Sequence, residues 1–362
     1  MKHLLYKIFR QYVRIGLFFT LKKITVFGKE DIPEKGASLF IANHQNGLID
    51  AILIPITNNR NIHFLTRASA FTNKSITKFL NSLNMIPIYR NRDGVNTIEK
   101  NSETFEQCTE ILKNGEAIEI FAEGEHHLDR RIIPLKKGFA RIILATLQKY
   151  PDLEIQIIPI GINYNSHLDF PASVSIYYGK SIKANPFFNL ENPEDNFSEI
   201  VAKVFTSLKN LTLHIENRIN YDEIVQNLEN NNIDYLNPFE ANEMLKNIEG
   251  KLIKSTIKKS NINWFSPFIL LAKLNSIFPL LIWRYIKSNI KEIIFTNTYR
   301  FAVIMTIFPL FYLIQTGIIF YLFNFDYAII YLITCIFLGV ITTKKMELPQ
   351  NRNGRSAQLH QY

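Results

Sequence analysis

A histidine and an aspartate, His44 and Asp50, stand six residues apart in the segment NHQNGLID, which interrupts an apolar run. An aspartate bonded to one ring nitrogen of a histidine fixes its tautomer, so that the other nitrogen can take a proton from a hydroxyl group. Positions six apart on a straight helix differ by about 240°, so the two side chains meet only if the chain turns between them, and Gly47 permits such a turn. The pattern indicates a general base oriented by a carboxylate. The alternative is that Asp50 caps a helix and His44 is an ordinary loop residue.

Three further apolar runs carry chemically distinctive residues where they end. IPIYR places Arg90 after one run, FAEGEHH places Glu123 and Gly124 after another, and IIPI carries Pro159. Basic residues in such positions suit a phosphate group, which arginine binds through its planar guanidinium. Because α/β folds bind ligands beyond the carboxyl ends of their strands, we expect these segments to border a single cleft.

The elements that must position these residues alternate between strand-like and helix-like segments from residue 22 to residue 190. Alternation at this spacing predicts an α/β fold with a mostly parallel sheet flanked by helices. The strand-like runs are residues 24–27, 39–42, 62–66, 86–89, 117–121, 155–160 and 174–178.

The C-terminal part of the chain is typical of a membrane protein. The run 301–323 has no charged residue, and a second uncharged run, 327–343, follows after only three residues. We expect the two runs to form a transmembrane helical hairpin. Lysine and arginine flank the hairpin on both outer sides and are absent from its connection, which predicts cytoplasmic flanks. The run 264–283 carries Lys273 and two prolines, which favours an interfacial or re-entrant segment over a third span.

The N-terminal residues predict an amphipathic helix in the membrane interface, because apolar residues recur at helical spacing among lysines and arginines. The alternative is a helix packed on the core. We therefore expect a membrane-interface helix, an α/β domain, a helical and polar connector, a membrane region and a basic tail. Their bounds are 1–21, 22–215, 216–260, 261–345 and 346–362. The NLENNNID segment at 227–234 is predicted to be a loop.

The formal net charge of +9 suggests an anionic partner such as a membrane surface or a phosphorylated substrate. The basic residues show no aromatic interleaving, which argues against a nucleic-acid-binding protein. The two cysteines have no CxxC neighbour, which makes a disulfide framework or a cysteine zinc site improbable and fits a reducing compartment.

Together, the segments NHQNGLID, IPIYR, FAEGEHH and IIPI resemble the motifs of the glycerophospholipid acyltransferase superfamily, the PlsC-like enzymes that acylate glycerol phosphate or lysophosphatidic acid. The resemblance covers about residues 20–185. This sequence has five residues between His44 and Asp50, whereas the commonest pattern has four. In the third segment Ala122 replaces the usual proline, and Glu125 and His126 replace the usual threonine and arginine.

The resemblance implies transfer of an acyl group from acyl-CoA or acyl carrier protein to the hydroxyl of glycerol phosphate or of a lysophospholipid. His44 would be the general base and Asp50 its orienting partner. No cofactor and no metal is expected beyond the thioester co-substrate. The residues implied to bind the acceptor phosphate are Arg90, Glu123 and Gly124, with Arg130, Arg131 or Lys137 taking the place of the missing arginine.

Two other functions remain open from the sequence. One is a non-catalytic membrane scaffold that keeps the fold. The other is a metal-dependent hydrolase that uses His44, Asp50, His126, His127 and Asp129, although adjacent histidines point in different directions on most backbones.

Overall fold

The predicted α/β fold is confirmed by a computed structural model, which describes residues 2–89, 97–189, 197–248 and 263–347. Its centre is one eight-stranded sheet in which the strand order is β1-β7-β6-β2-β5-β3-β4, with β8 beside β6. The strands are β1 (Leu21–Phe27), β2 (Ala37–Ala42), β3 (Ile62–Arg67), β4 (Met85–Ile88), β5 (Ala117–Ile120), β6 (Ile155–Tyr164), β7 (Ala172–Tyr178) and β8 (Ile182–Lys183).

The sheet is mostly parallel, as predicted. Strand β2 lies between β5 and β6 and is parallel to both. The pairs β1–β7, β3–β4 and β3–β5 are also parallel, whereas β6 pairs antiparallel with β7 and β8. Every residue of β2 is buried, which explains why its sequence reads as a continuous apolar run rather than an alternating one.

Helices cover both faces of the sheet and bury a separate apolar cluster on each. One face packs against α4, α5 and α6, and the other against α1 and α2, to which the start of α11 adds Phe301 and Met305. The helices are α1 (Lys2–Thr20), α2 (Gly47–Thr57), α3 (Lys74–Ser82), α4 (Thr97–Lys113), α5 (Gly138–Lys149), α6 (Phe197–Leu211), α7 (Tyr221–Asn230), α8 (Pro238–Ile248), α9 (Ser266–Asn275), α10 (Ile277–Ser288), α11 (Thr296–Leu322) and α12 (Phe325–Lys345).

Pro159 does not mark a strand end, contrary to the sequence interpretation. It lies in the middle of β6, opposite Ile41 of β2. On the other side of β6 the partner changes at this point, from β8 at Gln156 and Ile157 to β7 from Ile160 onward. A proline has no N–H to donate, and here it falls where the ladder on that side is already interrupted.

Residues 213–248 are more than a polar connector. Helices α7 and α8 bury an apolar cluster of their own that includes Ile215, Leu228 and Leu245. The predicted 227–234 loop is also wrong in its first half, because residues 227–230 complete the last turn of α7.

Two C-terminal helices, α11 and α12, are long and apolar enough to cross a membrane. They pack against each other as the expected hairpin. Helices α9 and α10 occupy the run 264–283 and its continuation, and their axes are bent by 81° at the break between them. Such a pair is a broken span or a re-entrant loop by geometry.

Helix α1 buries Val13 and Leu17 in the core and leaves Leu5, Ile8 and Ile15 exposed. Two of its basic residues bond to the neighbouring helix α2. Arg10 and Arg14 donate hydrogen bonds to the carbonyl oxygens of Asn58 and Ile56, at the carboxyl end of α2, where cations stabilise unpaired carbonyl groups. Contact of α1 with a membrane stays a prediction.

Candidate active site

The loop of residues 43–50 brings His44 and Asp50 together where β2 ends and α2 begins. The Nδ1 atom of His44 lies 3.0 Å from Oδ2 of Asp50. Gly47 makes the turn between them with φ of +45°, a left-handed conformation that glycine adopts without strain. Asp50 therefore does not act as an N-cap, because it lies inside the first turn of α2 and its side chain folds back over the loop.

Asp50 is completely buried and accepts four hydrogen bonds. Besides the His44 ring, its Oδ2 accepts from the backbone N–H groups of Gln45 at 2.8 Å and Asn46 at 2.7 Å. Its Oδ1 accepts from the hydroxyl of Tyr164 at 2.8 Å. Burial and the neighbouring Asp50 raise the pKa of Tyr164 well above its usual value, so this hydroxyl stays protonated and acts as a donor. The two backbone N–H groups and the Tyr164 hydroxyl hold the Asp50 carboxylate in place, and the carboxylate in turn orients the His44 ring.

The His44 ring is held on its other sides by the 121–137 loop, which follows β5. It stacks on Phe121, with ring centroids 4.0 Å apart and an interplanar angle of 16°, and meets His126 edge-on at 5.5 Å. Its side chain is 17% exposed. Nε2 forms no hydrogen bond to any residue that the structure describes, and His44 lines a cavity. The nitrogen opposite Asp50 is thus available to a ligand.

Glu123 belongs to the scaffold of the two loops, not to the cavity wall. It is completely buried, and its Oε1 accepts the backbone N–H of His44 at 2.9 Å. Its Oε2 accepts from Nε2 of His127 at 2.7 Å and from the N–H of Ile133 at 3.1 Å. Both oxygens are occupied, so the predicted contact of Glu123 with substrate is replaced by a role in holding His44.

The cavity beside His44 has a volume of about 1090 Å³. This lies slightly above the roughly 300–1,000 Å³ range of small-molecule sites. Most of its wall is apolar and comes from α1, α2, α4 and strands β3 and β4. Phe9, Val13, Ile52, Phe64 and Phe105 are among these side chains.

Cations gather near the His44 end of this cavity. Arg67 is the last residue of β3. Burial lowers the pKa of His126 the most, and the nearby His44 and Arg67 lower it further. Lys136, Lys137 and Arg141 line the cavity from the amino end of α5. Gly124 also lines it, and a Cβ atom there would lie 3.0 Å from Cγ of Lys136. Of the predicted phosphate-binding residues, Gly124 and Lys137 therefore reach the cavity.

Arg130 and Arg131 do not line the cavity. The guanidinium of Arg130 lies 3.4 Å from the ring centroid of Tyr235 and donates to the carbonyl oxygens of Tyr164 and Asn165. Arg131 is 8% exposed and lies away from the cavity wall. Residues near both ends of the 121–137 loop line the cavity, whereas Arg130 in its middle packs against Tyr235. Arg90 lies outside the described residues.

Several residues of the site were not singled out from the sequence. Tyr164 carried a usable signal, because it shares a face of β6 with Ile160 and Ile162 and lies at the carboxyl end of that strand. The sequence around Arg67, Lys136 and Arg141 has no feature that distinguishes them from other surface cations. Among the described residues there is no group of three or more His, Cys, Asp or Glu side chains placed to hold a metal ion.

The segment that leads into α11 packs directly on the 43–50 loop. Oγ1 of Thr298 accepts the N–H of Leu48 at 3.2 Å, which satisfies one of the free donors at the start of α2. Phe295 lines the cavity and meets the ring of His126 edge-on at 4.9 Å. The side chain of Asn297 donates to the carbonyl oxygen of His167 at 2.6 Å.

Comparison with known proteins agrees with this arrangement. Residues 23–163 match the family described as Acyltransferase. The chain is 26% identical over 128 residues to glycerol-3-phosphate O-acyltransferase 2 of Saccharomyces cerevisiae, covering 34% of this chain and 17% of the yeast protein. It is also 26% identical over 129 residues to 1-acyl-sn-glycerol-3-phosphate acyltransferase of Bacillus subtilis, covering 35% of this chain and 59% of that relative.

A solved structure, that of the 1-acyl-sn-glycerophosphate acyltransferase PlsC from Thermotoga maritima, covers 56% of this chain and 78% of its own, with 19% identity and a TM-score of 0.42. The match to the Acyltransferase family contains the 43–50 loop, the 121–137 loop and the first nine residues of β6. The match of residues 23–163 to this family and the similarity to the yeast and Bacillus subtilis acyltransferases therefore support the resemblance to the glycerophospholipid acyltransferase superfamily.

Proposed function

We propose that the protein is a membrane-bound acyltransferase that moves a fatty acyl group from acyl-CoA or acyl carrier protein to the hydroxyl of a glycerol-phosphate or lysophospholipid acceptor. The observation that carries this proposal is the His44–Asp50 pair, whose free nitrogen faces a largely apolar cavity with cations at the same end.

In this reaction His44 is the general base. Its Nδ1–H donates to Asp50, so Nε2 carries the lone pair that takes the proton from the acceptor hydroxyl. The hydroxyl oxygen bonds to the thioester carbonyl carbon, the carbon–sulfur bond breaks, and the proton on His44 passes to the departing thiolate. Gly47 and Leu48 line the cavity at the start of α2, where the helix dipole favours the negative charge of the tetrahedral intermediate.

The apolar wall of the cavity suits a fatty acyl chain, because burying methylene groups against such a surface stabilises the complex by about 0.8 kcal/mol each. The acceptor phosphate binds at the cationic end, where Arg67, Lys136, Lys137 and Arg141 supply charge-assisted hydrogen bonds. Gly124 allows Lys136 to approach closely. Arg90, predicted from the sequence as a further phosphate contact, is part of this proposal.

In this proposal the reaction takes place at the lipid surface, which the two long apolar helices support. Helices α11 and α12 cross the bilayer, and α1, α9 and α10 lie in or against it with their exposed apolar side chains. The acyltransferase domain is on the cytoplasmic face, as the lysine and arginine flanks predict. An acceptor with an anionic head and a fatty chain then reaches the cavity from the membrane.

The test is to incubate the purified full chain in lipid vesicles with a labelled acyl thioester and a panel of acceptors. The panel contains glycerol 3-phosphate, lysophosphatidic acid and other lysophospholipids. The expected result is a product heavier by one acyl group, with one free thiol released for each product formed. Thiol release without an acylated acceptor would indicate a hydrolase, and no consumption of thioester would indicate a scaffold.

A further inference from the structure

The C-terminal membrane region contributes residues to the acceptor end of the cavity. Phe295 forms part of the wall, and the ring of His126 lies between it and His44. Three residues earlier, Oε2 of Glu292 lies 3.7 Å from Nε2 of His126, which itself lines the cavity. Glu292 precedes the short 3-10 turn that leads into α11, so this contact joins the acyltransferase domain to the membrane region.

Glu292 places a negative charge beside a cationic site. Its side chain is 64% exposed, and the carboxylate raises the pKa of His126 against the larger opposing effects of burial, His44 and Arg67. A phosphate bound among Arg67, His126 and Lys136 therefore approaches a carboxylate as well as the cations. The resulting repulsion grows with the negative charge of the headgroup.

Headgroups of acceptor lipids differ in this charge. A phosphate monoester carries about −1.5 to −2 charges at neutral pH. A phosphodiester that bears an ammonium group has no net charge, and its ammonium group can pair with a carboxylate. A carboxylate beside His126 thus disfavours the first class relative to the second.

We propose that Glu292 is a specificity-determining residue, which lowers the affinity of the acceptor site for phosphate monoesters relative to zwitterionic phosphodiesters. This inference rests on the proposed function, since it assigns a role within the same acceptor site. It makes the membrane region a part of substrate selection as well as an anchor.

The test measures binding without an acyl donor, so that it does not depend on turnover. Lysophosphatidic acid and lysophosphatidylethanolamine are titrated into the detergent-solubilised full chain. Glu292→Gln is expected to tighten binding of lysophosphatidic acid relative to lysophosphatidylethanolamine by about two- to fivefold, the effect of one exposed charge. Glu292→Lys is expected to shift the ratio further in the same direction. Both shifts should shrink as the salt concentration rises.

Glu347 provides the matched control, because it is also exposed and acidic but follows α12 at the end of the membrane region. Glu347→Gln and Glu347→Lys should leave the ratio unchanged. Equal changes for the two lipids in the Glu292 variants, or no change, would overturn the inference. Acyl transfer by wild type alongside such a result would leave the proposed function intact, whereas a shifted binding ratio without any acyl transfer would support the inference and count against the proposed reaction.

Discussion

At the scale of single residues, the site depends on which groups are free and which are occupied. Asp50 and Glu123 are both completely buried carboxylates, and each binds the His44 segment, one through the ring and the other through the backbone N–H. His44 is the partly exposed member of this group. In the proposed reaction, the imidazole therefore transfers the proton and the two acids orient it.

His44→Ala is expected to reduce acyl transfer by at least about 10²-fold, the contribution typical of a general base. The measurement is kcat for the full chain in vesicles, together with the Tm of the same sample. His63→Ala is the matched control, because His63 lies at the amino end of β3 and pairs with Glu116 away from the cavity. A His44 variant that keeps activity within a few-fold of wild type would rule out His44 as the base.

Two arginines allow the phosphate site to be located. Arg67 lines the cavity, whereas Arg130 is engaged with Tyr235 and backbone carbonyl groups. Arg67→Gln is expected to raise KM for a phosphorylated acceptor by roughly tenfold, because a hydrogen bond to a charged group contributes about 1.5–3 kcal/mol, with KM for the acyl donor little changed. Arg130→Gln should instead lower Tm. If KM for the phosphorylated acceptor rose in Arg130→Gln and not in Arg67→Gln, the phosphate contact would be assigned to Arg130 instead.

At the scale of elements, residues 213–248 hold the 121–137 loop in place. Arg130 contacts Tyr235, and its N–H also donates to the hydroxyl of Tyr221 at 2.6 Å. The carbonyl oxygen of Arg130 accepts the N–H of Ile215 at 2.9 Å. The N–H of Ile132 donates to Nδ1 of His214 at 3.0 Å. Helices α7 and α8 therefore stabilise the loop that carries Phe121 and His126 against His44.

His214 makes this attachment sensitive to pH. Burial, with a smaller effect of Lys209, lowers its pKa from 6.5 to about 4, so the folded protein keeps it neutral while the unfolded chain binds a proton. The free energy of unfolding is then expected to fall as the pH drops from about 6.5 toward 4. The measurement is Tm at pH 7 and pH 5 for wild type and for His214→Gln, which keeps an acceptor but does not titrate.

Wild type should lose more Tm than His214→Gln over this interval. Equal losses in the two proteins would show that His214 is not responsible for the pH dependence. Because Nδ1 of His214 must be unprotonated to accept the Ile132 N–H, activity of wild type should decline over the same interval more than that of the variant.

The strands and the His44–Asp50 pair could be predicted from the sequence because their signals are local. Strand β2 is a buried run of mostly apolar residues. Gly47 indicates the turn that brings Asp50 next to His44. The direction of side chains in the 121–137 loop could not be predicted, because it depends on contacts with residues about 90 positions later. The contacts of Glu292 and Thr298 with the site could not be predicted for the same reason, because their partners lie far away in the sequence.

At the scale of the whole molecule, the membrane region is hydrogen-bonded to the N-terminal helix. Thr343 and Lys344 of α12 donate to carbonyl oxygens at the end of α1. Within the membrane region, the Tyr331 hydroxyl oxygen lies 2.7 Å from Oε1 of Gln315 of α11 and 3.0 Å from Oδ1 of Asn275 of α9. These polar contacts join three helices in a region where unpaired polar groups are costly.

The proposed orientation predicts opposite accessibility for the two ends of α12. Phe323→Cys, in the connection between α11 and α12, should react with a membrane-impermeant maleimide added to intact cells. Glu347→Cys should react only after permeabilisation. The native cysteines, Cys108 and Cys335, are buried and should give little background. Labelling of Glu347→Cys in intact cells would reverse the assigned orientation.

Helix α11 runs from Thr296 to Leu322, and its first turn holds the start of α2 through Thr298. A transmembrane helix responds to a bilayer thicker or thinner than its apolar length by changing its tilt. Because Thr298 anchors the start of this helix to the loop that carries His44, a change of tilt would displace the groups around that histidine. In the proposed reaction, the thickness of the host membrane would then change the rate of acyl transfer, so that the acylated lipids formed would in turn alter that rate.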